Sequence, residues 1–155
     1  MIDQFAQEEV DWAREAGLSA DRIYTHQTVR YDNPNWMRYI LASTMKTAQV
    51  EGGSLGITTL QELSFDEKLF ADARKASPNW GNFEFNPATE KKQDYKTFIK
   101  ALRTIYRYKP HIVAPYMWRN PGSEPFYTVK DSQFEKAIRD FIKEVADKPL
   151  VIDKK

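Results

Sequence analysis

Four short runs with a period of two alternate with longer runs of helical period, and this alternation constrains the fold more than any other feature of the chain. The short runs are 23–28, 54–60, 80–86 and 111–118, spaced roughly 25–35 residues apart. A strand joined to the next through a helix is carried back to its starting edge, so the two strands run parallel. The pattern therefore predicts an α/β chain, a leading helix followed by four consecutive strand–helix units, forming one domain over residues 1–155.

The helical runs carry their own punctuation. Residues 3–16 place Phe5, Trp12, Ala13 and Ala16 on one stripe, and Gly17 closes it. Ser64 and Glu67 have the spacing of a capping box for a helix reaching Ala76 that buries Leu69, Phe70, Ala73 and Ala76. A helix opening near Thr89 carries the stripe Tyr95, Phe98, Ile99, Leu102, Ile105 and Tyr106, and ends before Pro110. The last helix opens near Asp131 and Ser132 and buries Phe134, Ile138, Phe141, Ile142 and Val145. Residues 29–53 read as a long loop with a short helix after Asn33–Pro34, where Trp36 and Tyr39 have helical spacing.

Two closures fit four parallel strands: an arc that is half of a (β/α)8 barrel, or a small flat doubly wound sheet. A complete barrel takes about 250 residues, and 155 residues hold little more than half of one. The strand ends favour the arc. Strict alternation in Trp80–Asn86 sets Asn82, Glu84 and Asn86 on one face beside the Trp80 indole, with Phe83 and Phe85 on the other, under a helix layer. Tyr24 with His26, Asn82 with Glu84, and Tyr116 with Trp118 then lie near C-terminal strand ends, which converge on one mouth in a barrel. A flat sheet binds ligands at a switch point, commonly with a glycine-rich phosphate turn; Glu51-Gly-Gly-Ser54 precedes a strand and is no such turn.

Composition excludes several classes. Basic and acidic side chains number 23 and 22, a net charge of +1, with no basic stripe to suggest a nucleic-acid partner. There is no cysteine, so thiolate metal sites and disulfides are out; His26 and His111 are far apart in sequence, so no metal and no cofactor is expected. No apolar run is long enough to cross a membrane as a helix, and the acidic N-terminus is unlike a signal peptide. The compartment stays open. The chain opens within a helical pattern, as a fragment would.

The string Trp80-Gly-Asn-Phe-Glu-Phe-Asn-Pro87, followed one unit later by Pro115-Tyr-Met-Trp118, resembles strands seven and eight of a clan A glycoside hydrolase barrel. The stretch Ala16-Gly-Leu-Ser-Ala-Asp-Arg-Ile-Tyr-Thr-His-Gln27 is similar to a helix–strand junction of β-galactosidase-like members. This resemblance implies that Glu84 is a nucleophile homologue and that Trp118 floors the subsite of the scissile sugar. His26, Asn82 and Tyr116 become candidate carbohydrate-binding residues. The family sets an aromatic or tyrosine hydroxyl on the sixth strand against the nucleophile; here Thr58 and Thr59 occupy that place. Its acid/base carboxylate ends the fourth strand, which has no counterpart before Ile23.

Two function classes follow. One is the nucleophile-bearing half of a retaining glycoside hydrolase-like barrel, inactive alone towards ordinary glycosides because the second carboxyl is missing. The other is a non-catalytic carbohydrate-binding or interaction domain. Either way, edges at Ile23–Thr28 and His111–Trp118 would be unpaired, and Leu55, Ile57, Ile112 and Ala114 would meet water on the concave side. The expected partner is a second copy or a missing N-terminal half-barrel.

Overall fold

The structure is a computed structural model, and it describes residues 2–27, 50–120, 122 and 125–146. The expected helix around Trp36 and Tyr39, the strand end at Thr28 and the tail from Asp147 lie outside the described residues. In chain order the elements are α1 (Ile2–Glu15), β1 (Tyr24–Gln27), β2 (Ser54–Leu60), α2 (Glu67–Ala76), β3 (Gly81–Asn86), α3 (Tyr95–Tyr106), β4 (Ile112–Pro115) and α4 (Gln133–Ala146).

The strands form one sheet in the order β1-β2-β3-β4, with every neighbouring pair parallel. The chain is therefore α/β with a four-stranded parallel sheet and helices between its strands. Doubly wound sheets reverse their strand order at a switch point; here spatial order follows chain order, as it does around a barrel arc. Half-barrel and small flat sheet share this four-strand core.

Helix starts are set by side chains that take up free amides. Asp66 caps α2 by accepting from the Leu69 amide at 2.9 Å. Ser64 lies instead in a 3-10 turn, Gln61–Phe65, and donates its hydroxyl to the Thr59 carbonyl at 2.9 Å. The capping box expected between Ser64 and Glu67 does not form, because β2's carbonyl has claimed the serine. Asp94, and not Thr89, caps α3, accepting from the Thr97 amide at 3.0 Å. Gly17 closes α1 at a φ of +89°, a backbone that a side chain would strain.

One core fills the space between the sheet and α2, α3 and α4. Leu55 and Ile57 of β2 meet Leu69, Phe70 and Ala73 of α2 there, with Phe98, Ile105 and Phe134 closing it behind Phe85. Leu55 and Ile57 thus face the helices, not a concave side in water. The stripe expected on α1 is also displaced. Its buried side chains are Ala6 and Val10, while Phe5 and Trp12 are 59% and 62% exposed. On α4, Phe134 and Ala137 are buried and Ile142 is 56% exposed, on the flank of its stripe. β4 ends at Pro115, short of Trp118, because beyond it the backbone turns to a different partner. The Met117 amide donates to the Tyr127 carbonyl at 3.2 Å, and the Lys130 amide to the Trp118 carbonyl at 2.9 Å.

Candidate active site on the sheet face opposite the helices

The register between β2 and β3 slips by one residue: Ile57 faces Asn82, but Thr58 faces Glu84. The extra residue, Phe83, makes a bulge, and a bulge reverses the alternation that follows it. Asn82 and Phe85 consequently share the helix face, while Phe83 and Glu84 both come to the opposite one. Phe83 fills that face. A Cβ on Gly56 would lie 2.9 Å from its ring, and one on Gly81 would lie 3.0 Å away. Tyr24 and His26 of β1 pack on Phe83 at 5.0 and 5.6 Å between ring centroids.

Against this aromatic floor stands a hydrogen-bonded chain across three strands. The Thr58 hydroxyl donates to Glu84 Oε2 at 2.9 Å, and His26 Nε2 meets Thr58 Oγ1 at 2.7 Å. A hydroxyl has one proton to give. Since it goes to Glu84, Thr58 accepts from His26, whose Nε2 must carry a hydrogen. The chain runs His26 to Thr58 to Glu84, and Thr58 is itself buried. Among the described residues Oε2 alone of the Glu84 oxygens is hydrogen-bonded.

Nearer the N-terminal ends of the strands, the Tyr24 hydroxyl meets His111 Nδ1 at 2.5 Å. Burial pushes the Tyr24 phenol above its ordinary value, and the Asp21 carboxylate adds to it. Tyr24 therefore stays a neutral partner for the imidazole.

The expected carbohydrate residues divide. His26 and Glu84 come together through Thr58. Asn82 does not join them: it is fully buried, its amide donates to Thr59 Oγ1 at 2.6 Å, and its Oδ1 has no partner among the described residues. Asn86 is also buried, donating to the carbonyls of Tyr116 and Tyr127 while its Oδ1 accepts from the Ala88 amide. Trp80 lies in the core, its indole donating to the Tyr108 carbonyl at 3.0 Å and stacking on Phe70. Glu84 is thus not flanked by two amides and an indole, as strict alternation predicted: the bulge puts Trp80 and Asn82 on the other face, and Asn86, which keeps the parity of Glu84, has its side-chain amide taken up by the Tyr116 and Tyr127 carbonyls and the Ala88 amide. The Tyr116 ring packs edge-on against Tyr127 at 6.1 Å and lines the loop after β4. Trp118 is held by its backbone and is 55% exposed as a residue.

Thr58 is the residue that local patterning could not rank. Its signal was positional: it lies one strand before Glu84, at a place where the sequence shows Thr58 and Thr59 only as a departure from the family's aromatic or tyrosine. Among the described residues no group of three or more His, Cys, Asp or Glu side chains could hold a metal ion, and no helix is long and apolar enough to cross a membrane. Comparison of the chain with protein-family models, with curated proteins and with solved structures finds no match.

Proposed function

We propose that the chain is the nucleophile-bearing half of a retaining glycoside hydrolase-like barrel, with carbohydrate as its substrate. The observation that carries this reading is the hydrogen bond from Thr58 to Glu84 Oε2, backed by His26. It fixes one carboxylate oxygen as an acceptor, and among the described residues the other oxygen takes no hydrogen bond. In retaining hydrolysis such an oxygen attacks the anomeric carbon, while a second carboxyl about 5–5.5 Å away protonates the leaving group. That second group would come from a separate unit completing the barrel. Trp118, exposed beyond the adjoining strand, suits the apolar face of a sugar ring.

Activated aryl glycosides test this directly, because a good leaving group departs without an acid. Incubation with a 2-fluoro-substituted dinitrophenyl glycoside is expected to add one glycosyl group to Glu84, read by peptide mass spectrometry. The variant Glu84→Gln should remain unlabelled. The exposed Trp118 ring equally favours a second reading, a carbohydrate-binding domain without chemistry. Saccharide binding with no adduct would select that reading, and neither binding nor adduct would remove both.

A further inference from the structure

We infer that α1 of one molecule docks into the groove between α3 and α4 of a second copy. On α1, Phe5 and Trp12 lie one above the other, two turns apart on an exposed face. Glu8 and Glu15, both exposed, flank them on the same side. This is an acidic amphipathic surface that the molecule's own core does not use.

The groove has the complementary character. It measures about 630 Å³, with Ile99 and Phe141 in its floor. Its α3 side carries Lys96, Lys100 and Arg103, with Arg107 just past the helix end, a basic row at successive turns that runs against the expectation of no basic stripe. Among the described residues Arg103 pairs with Glu144 and Arg107 with Glu67, and Asp140 accepts from the Tyr95 hydroxyl nearby, so the four cations of the row still outnumber the carboxylates beside it.

Dimensions agree as well as charge. Phe5 and Trp12 are separated by about 10 Å along α1, at 1.5 Å per residue. Lys96 and Arg107 are separated by about 16 Å along α3 on the same measure. Both rings therefore fit within the length of the groove, with Glu8 and Glu15 at the height of the basic wall. Two different patches meet, so the contact is heterologous and propagates as a ring or an open chain. Phe5 also borders the open β1 edge beside Tyr24 and His26, but the contact does not use Thr58 or Glu84 and does not depend on the carbohydrate reading.

Light scattering from micromolar concentrations upward tests the contact. The expected result is a mass that rises above the 18.1 kDa of one chain and falls again as salt is added. Lys96→Glu with Lys100→Glu should weaken association roughly tenfold or more, and so should Glu8→Lys with Glu15→Lys. Mixing these two charge-reversed proteins should restore it, since acidic groove then meets basic helix. All four positions are exposed, and circular dichroism checks that each variant is folded. A monomer at every concentration overturns the inference. So does association that ignores both charge reversals and Trp12→Ala, which would place the contact at the β1 and β4 edges instead.

Discussion

The Tyr24 hydroxyl lies 2.5 Å from His111 Nδ1, although one residue opens the first strand of the sheet and the other leads into the last. Parallel neighbours are about 4.8 Å apart, so this bond spans roughly 14 Å of sheet. It can do so because Gly56 and Gly81 keep the intervening floor low enough for the rings of Tyr24 and Phe83 to lie across it.

That crossing makes Gly56 intolerant of a side chain. A Cβ there would sit 2.9 Å from Phe83 Cδ2 and 3.2 Å from the Thr25 carbonyl oxygen, and the backbone oxygen cannot swing away. Gly56→Ala should cost about 1–3 kcal/mol of stability by overpacking, measured by urea unfolding. Adding Phe83→Leu should recover part of the loss. If Gly56→Ala alone is as stable as the parent, the ring is free to move and the aromatic floor is not rigid.

Thr58 and Glu84 should separate in a labelling experiment. Glu84→Gln replaces the carboxylate with a non-nucleophilic amide and should abolish adduct formation with an activated glycoside. Thr58→Val keeps the carboxylate but loses its orienting donor, and should slow labelling by about ten- to a hundredfold. Thr58→Ser should restore most of the rate, because the hydroxyl is what matters. Unchanged labelling by Thr58→Val would remove the hydrogen bond from the mechanism.

Trp118 should divide binding from stability. The residue is more than half exposed, so little core packing is lost on truncation. Trp118→Ala is expected to weaken oligosaccharide binding, read by calorimetry, with a small change in Tm. A collapse in Tm with binding retained would make it a structural residue of the loop after β4.

Glu67 ties the start of α2 to the end of α3 and makes part of the stability pH-dependent. The Tyr108 hydroxyl, donating at 2.7 Å, holds its carboxyl below the usual range; the Arg107 guanidinium at 2.9 Å adds to the effect. A depressed folded value means the contribution is fully present above the unfolded carboxylate range. It is lost as pH falls through the folded value. Tyr108→Phe should therefore flatten the fall in urea midpoint on acidification. An unchanged pH profile in that variant would show that the hydroxyl does not set the carboxyl.

The alternation of periods by itself determined the parallel α/β class, the places of the four strands and the stripe of α3, because those properties repeat along a few consecutive residues. It also put Glu84 on a strand. Which side chains would surround that carboxylate was decided only by the tertiary structure. One extra residue at Phe83 reversed the parity of the strand and sent Asn82 into the core, Phe83 to the opposite face and Glu84 to Thr58. A bulge depends on how two strands slide past each other, and no local period records it. The same holds for α1, where Ala6 and Val10 were buried and Phe5 and Trp12 left outside. A helix with apolar residues around more than one face turns towards whichever neighbour packs best, and that neighbour is distant in sequence.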